Sequence, residues 1–233
     1  MGSLSTGITN INGVASVTVS NISSETTFTA TYSNVSDTCT VTVSQFIFYD
    51  DASVDNSSTL FGNSYALRSG SNTTGWNSNG YYTVKTQSSG TKESVRIIAP
   101  LTGVADDFIL EWDAYCEGSD GSSGLVIYNS STAWEKLSDN CNSMKEVWYG
   151  YNNGSYHETK YYSTIVDNGQ WTHYKFTMQG NQFSILITLN GETVWEHTET
   201  IHFTRSSSTQ YGFNSEWQAN RVMRYKNIVA YKI

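Results

Sequence analysis

The feature that most constrains this chain is a period-two alternation of apolar and polar residues, repeated along nearly its whole length. After Trp171, the residues Tyr174, Phe176 and Met178 point one way and His173, Lys175 and Thr177 the other, as successive positions of a strand must. Gln179-Gly180-Asn181 is expected to turn the chain, and Phe183, Ile185, Ile187 and Leu189 then share one face. Asn190-Gly191 follows; this pair accepts the positive φ that a type I′ hairpin turn needs at both central positions. Val194 and Trp195 return on the next strand.

The same pattern predicts strands over 95–98, 108–115, 124–128, 146–151, 172–178, 183–189, 192–197 and 224–231. Helical turns are expected only at 132–137 and 143–146. About thirteen short strands spaced near ten residues apart argue an all-β sandwich or barrel. With 16 Tyr, 9 Phe and 7 Trp, the chain has the large side chains that a disordered sequence lacks. A single proline, Pro100, interrupts little.

Residues 1–44 read as a unit of their own. Val14, Ser16 and Thr18 alternate with Ala15, Val17 and Val19, and Phe28-Thr-Ala-Thr-Tyr32 and Cys39-Thr-Val-Thr-Val43 repeat the pattern. Three strands make a meander of about 40 residues, short for an independent core. Asn12-Gly13-Val14-Ala15 with those two runs resembles the C-terminal half of bacterial Ig-like domains, which stand as stalks in adhesins and virus tail proteins. The resemblance implies missing strands upstream and a truncation at Met1. Residues 45–233 form the second domain.

There, Trp171-Thr-His-Tyr-Lys-Phe-Thr-Met178, Gly180-Asn181, Ile185-Leu-Ile-Thr-Leu-Asn-Gly191, Tyr211-Gly-Phe213 and the run 222–233 resemble the closing half of concanavalin A-like lectin/glucanase domains, laminin G-like modules included. Phe46-Ile-Phe-Tyr-Asp-Asp51 is similar to their first strand. The resemblance implies a two-sheet antiparallel jelly-roll sandwich. Such a fold hosts lectins, glycosidases and protein-contact modules alike, so the site must decide function.

Glucanases of that kind place three carboxylates along one strand, because retaining chemistry needs two of them about 5 Å apart. Here Glu111 and Asp113 share a face, but Tyr115 or Cys116 holds the third position and Glu117 comes one residue late. A one-residue shift moves a carboxylate by about 3.3 Å and turns it over. Glu111 and Asp113 therefore read as an ordinary outer face, and the chain as a non-enzyme. His157, His173, His197 and His202 show no metal-binding spacing, and His157 and His173 are expected to be plain polar residues on strand faces.

Sugar recognition pairs aromatic rings with amides and carboxylates. The middle of the chain supplies both, and Trp134, Trp148, Tyr149, Tyr151, Tyr161, Tyr162 and Trp217 are the candidate ligand platform. Trp112, Trp171 and Trp195 are assigned to the core. Acidic turns make Asp50, Asp51 and Asp120 candidates for a structural Ca²⁺, which many relatives of the resembled fold carry. Of Cys39, Cys116 and Cys141, the last two could pair across neighbouring elements; three buried reduced thiols is the alternative.

A net charge of −8 disfavours nucleic acid, and no apolar run is long enough to span a bilayer. The expectation is a non-catalytic carbohydrate-binding adhesion module of a virion tail protein or microbial surface adhesin, extracellular or on a virion surface. Its partner would be a cell-surface or cell-wall glycan, with homo-oligomerisation arising through a larger parent protein. A structural decoration or spacer domain is the alternative; a glycoside hydrolase ranks below both.

Overall fold

A computed structural model describes residues 3–4, 19–20, 26–32, 35–41, 46–86, 93–117, 122–140, 146–162, 169–216 and 222–233. The chain divides into two compact units, Met1–Gln45 and Phe46–Ile233. In the first, β1 (Ser3–Leu4) pairs with β2 (Val19–Ser20), and β3 (Thr26–Tyr32) forms a hairpin with β4 (Val35–Val41), setting Phe28 opposite Cys39. Apart from Val19, the strand expected over 14–19 lies outside the described residues.

The second unit holds β5 (Phe46–Asp50), β6 (Phe61–Ser69), β7 (Asn72–Asn77), β8 (Tyr81–Thr86), β9 (Glu93–Ile98), β10 (Phe108–Glu117), β11 (Ser122–Ser130) and β12 (Ala133–Asn140). It continues through β13 (Glu146–Asn153), β14 (Tyr156–Tyr162), β15 (Trp171–Gln179), β16 (Gln182–Leu189), β17 (Glu192–Thr200), β18 (Gln210–Glu216) and β19 (Val222–Lys232). One helical turn, α1 (Ser57–Leu60), and a 3-10 turn at Ala99–Leu101 complete the described elements. The strands form two antiparallel sheets in a jelly-roll-like sandwich. An eight-stranded sheet runs β17-β16-β15-β10-β19-β8-β7, with β5 also on β19, and a seven-stranded sheet runs β14-β13-β12-β11-β18-β9-β6. Each of the eight expected strands falls inside one of these elements.

Alternation decides what lies between the sheets. Thr172, Tyr174, Phe176 and Met178 of β15 are buried while their neighbours are partly exposed, and Phe183, Ile185 and Ile187 of β16 follow suit. Fully buried Trp112 stacks on Tyr174 at 5.1 Å and meets Phe213 of the other sheet at 5.5 Å, tying the layers through rings. Each such side chain contributes about 1.5–3 kcal/mol by leaving water. Asn190 and Gly191 both have positive φ, at 52° and 83°, so the β16–β17 turn forms as its sequence requires. β17, a sheet edge, keeps Glu192 and Glu196 exposed.

Two expectations fail here. The segment 132–137 is not helical: from Ala133 it is strand, bonded to β11 on one side and β13 on the other. Pairing on both edges outweighs the modest helix preference of Ala, Glu, Lys and Leu. Of the second expected turn, 143–146, only Glu146 is described, and it opens β13. Trp171 is not a core residue either; it lies on the outer face of the eight-stranded sheet, 4.1 Å beneath the Lys226 ammonium.

The β11–β12 contact leaves no room at Gly124, where a Cβ would run into the Leu137 carbonyl and come within 2.9 Å of the Ser138 Cα. Gly124→Ala is therefore expected to cost about 3 kcal/mol or more, read as a lowered urea midpoint with an unchanged slope.

Candidate functional site

In a two-layer sandwich the outward faces should be polar, yet the outward face of the seven-stranded sheet carries a second apolar cluster. Leu67, Val95, Ile97, Val126, Tyr128 and Trp134 are buried there, with Tyr65 and Tyr156 packed against them. Register puts them together. Val126 lies opposite Lys136 and Gly212, Gly212 opposite Ile97, and Trp134 opposite Tyr128 and Asn152. Their chain neighbours Leu125, Ile127, Leu137, Tyr211 and Phe213 fill the inter-sheet core. This sheet is thus apolar on both faces.

Over that cluster the groups are layered. The Trp134 indole, fully buried, meets the Tyr156 ring at 5.7 Å, and the Arg68 guanidinium lies 3.9 Å above the centre of Tyr156. Tyr65 stacks flat on Tyr128 at 4.7 Å. Lys136, with 1% of its side chain exposed, sets its ammonium 2.5 Å from Glu93 and 3.4 Å from Glu158. Arg68 Nε also forms an ion pair with Glu93 at 3.4 Å, and the Tyr156 hydroxyl donates to Glu158. Burial pushes the Tyr156 hydroxyl well up, and the Glu158 and Glu93 charges add to this against the opposing pull of Lys136. Gly150 sits opposite Lys136, and a Cβ there would come within 2.9 Å of the Lys136 Cε.

Arg68 owes its position to irregular pairing. Ala66 is opposite Ser94 and Ser69 opposite Glu93, so Leu67 and Arg68 are extra residues on β6. A bulge of this kind re-aims side chains; here Leu67 joins the apolar cluster and Arg68 reaches Tyr156.

The platform expected from the sequence is divided by alternation. Trp134 and Trp148 belong to the outward face, whereas Tyr149, Tyr151 and Tyr161 lie on the inner face of β13 and β14. Two of the rings expected to face solvent do not: Trp134 is under Tyr156, and Tyr149 is buried in the core with its hydroxyl donating to Glu135. Trp148, Tyr151 and Tyr161 remain partly exposed. Tyr151 is sandwiched between His202, at 3.7 Å, and His157, at 4.6 Å. Burial raises the Glu135 carboxyl despite hydrogen bonds from Tyr149 and the His202 amide. The side chain of Tyr162 and all of Trp217 lie outside the described residues.

Glu111 and Asp113 do occupy the outer face of the eight-stranded sheet, and both carboxylates are engaged. Tyr231 donates to Glu111 at 2.6 Å; Asp113 pairs with His173 at 2.9 Å and receives Asn227 at 2.7 Å. The third position holds Tyr115, whose ring lies 5.0 Å beneath the Arg224 guanidinium. The Asp113 hydrogen bond raises the His173 imidazole against its partial desolvation. For Asp113, burial pushes up, but His173 and Asn227 outweigh it and leave the carboxyl lowered.

Two of the three candidate calcium ligands are engaged within the protein. Asp50 is buried and accepts Ala52 N at 2.8 Å, Asn56 Nδ2 at 3.0 Å and the Tyr82 hydroxyl at 3.0 Å, which uses its oxygens within the protein. Asp51 caps Ser53 N at 2.9 Å, and Asp120 lies outside the described residues. Among the described residues no group of three or more His, Cys, Asp or Glu could hold a metal ion. Cys116 is disulfide-bonded; Cys141, its expected partner, lies outside the described residues.

No protein-family model matches the chain, and no curated protein does. Solved structures match its fold. The β-glucanase of Bacillus licheniformis is 15% identical, with a TM-score of 0.53, over 81% of this chain and 98% of that one. The CBM2 module of the evolved Dit of Lactobacillus casei BL23 phage J-1 is 10% identical, with a TM-score of 0.51, over 82% and 97%. The exoplasmic/lumenal domain of VIP36, in a form bound to Ca²⁺ and Man3GlcNAc, is 10% identical, with a TM-score of 0.56, over 82% and 90%. At such identities these likenesses show the two-sheet jelly-roll fold and nothing finer.

Two consequences can be measured. Lys136→Met removes the nearest countercharge of the buried Glu93 carboxylate and is expected to cost about 3 kcal/mol, part of which Glu93→Gln restores in the double variant. His173 is raised in the folded state, so its pairing with Asp113 contributes fully below about pH 6.5 and is lost as pH rises through the folded value. The stability gap between wild type and Asp113→Asn should therefore be wider at pH 5.5 than at pH 9 in urea titrations.

Proposed function

We propose that the chain is a non-catalytic carbohydrate-binding module that holds a cell-surface or cell-wall glycan on the outward face of its seven-stranded sheet. The observation that carries this reading is the layering of Arg68, Tyr156 and Trp134 beside Lys136, Glu93 and Glu158. An outward face has no packing need for rings, so a row of them rimmed by charged groups is a surface for a ligand with apolar faces and many hydroxyls. Pyranose rings have both. Sandwiches of this kind include glycan-bound and glycan-cleaving proteins, among them a domain seen with Man3GlcNAc, which agrees with the reading.

The non-catalytic part rests on Glu111, Asp113 and Tyr115: the third carboxylate is absent and the first two are already hydrogen-bonded. An extracellular or virion-surface setting is supported by the disulfide at Cys116, since such bonds persist where thiols are oxidised. No helix among the described residues is long and apolar enough to cross a membrane. In this reading residues 1–44 belong to an Ig-like stalk, and the protein is part of a virus tail or a microbial adhesin. Weak single contacts then gain strength when many copies bind together. A protein-contact role has one specific observation in its favour, the exposure of Phe46 and Tyr49 on β5, at 67% and 63%.

Tyr156→Ala should weaken glycan binding at least tenfold, about 1.4 kcal/mol, with the fold intact by circular dichroism. Glu111→Gln should leave binding unchanged, and wild type should release no reducing sugar. An array silent toward millimolar monomer and toward bead-clustered protein would defeat the reading.

A further inference from the structure

Building on the reading that this face holds a saccharide, we infer that Arg68 makes the site selective for acidic glycans, gripping a carboxylate or another oxyanion on the sugar. Four observations lead there. The bulge in β6 exists at the residues that bring Arg68 over the site. The guanidinium lies 3.9 Å from the centre of the Tyr156 ring, with its Nε 3.4 Å from Glu93. Its two terminal nitrogens have no partner among the described residues, and 36% of the side chain is exposed. The neighbouring ionic groups are already spent: Lys136 is buried between Glu93 and Glu158, and Glu158 also accepts from Tyr156.

A guanidinium positioned in this way is a preorganised fork. Its planar pair of N–H donors matches an oxyanion bidentately, and little rotamer freedom is left to lose when the ligand arrives. Glu93 takes the Nε side, which leaves the terminal pair to the ligand. A neutral pyranose finds the outer face of Tyr156 already capped and must either displace Arg68 or lie on the guanidinium. A uronic or sialic acid gains both the stack and the charged hydrogen bonds. The net charge of −8 does not oppose this strongly at contact range, because fields beyond about 8 Å are screened at physiological salt.

The experiment titrates the full chain with three probes of equal length: a galacturonic-acid trisaccharide, galactotriose and a sulfated galactotriose. The uronate should bind at least tenfold tighter than galactotriose. Arg68→Ala should erase that margin, and Arg68→Lys, which keeps the charge but loses the fork, should erase most of it. Folding of both variants is checked by their melting midpoints. If the sulfated sugar equals the uronate, the fork accepts any oxyanion; if it binds less well, the carboxylate is the ligand; both results support the inference. Equal affinity for galacturonide and galactotriose, or an unchanged margin in both variants, overturns it while leaving the glycan reading intact. Failure of all three probes to bind overturns the inference, and the glycan reading then stands or falls on the array.

Discussion

The ion pair between Lys136 and Glu93 is the interaction on which the outward face depends. Two charges with almost no exposure are tolerable only when each neutralises the other. Their pairing lets β12 and β9, separated in the sheet by β11 and β18, present one surface. It also anchors what lies above: Glu93 holds Arg68, and Lys136 holds Glu158, which takes the Tyr156 hydroxyl. An unpaired charge at either position would draw in water and loosen every layer over Trp134.

The two outward faces of the sandwich differ in kind. That of the eight-stranded sheet carries Glu111, Asp113, His173 and Lys175 in short-range ionic contacts, typical of a solvated strand surface. There the Trp171 and Tyr115 rings lie beneath Lys226 and Arg224, so their apolar faces are covered by cations. The seven-stranded sheet instead buries Trp134, Val126 and Ile97 on its outward side. This asymmetry is the ground for proposing a glycan on the outward face of the seven-stranded sheet rather than on the other.

Much of the fold could be read from the sequence because alternation and turn chemistry are local. Tyr174, Phe176 and Met178 face inward as their spacing requires, and the positive φ at Asn190 and Gly191 follows from residue type. The site was harder to read. Period two tells which residues of a strand share a face; it does not tell which face is the core when both are apolar. Trp134 and Tyr149 were therefore expected in solvent and are buried on opposite sides of one sheet. Arg68 and Glu93 were missed because their roles arise from a bulge and from a cross-sheet meeting 43 residues away from Lys136 in sequence.

The edge strand β17 has a bearing on life in multiple copies. Its exposed Glu192 and Glu196 stand where a neighbouring molecule would have to lay its own backbone to extend the eight-stranded sheet. Another copy offering the same strand brings like charge against like, which discourages sheet continuation. Copies of the protein held close together are therefore discouraged from joining β17 to β17.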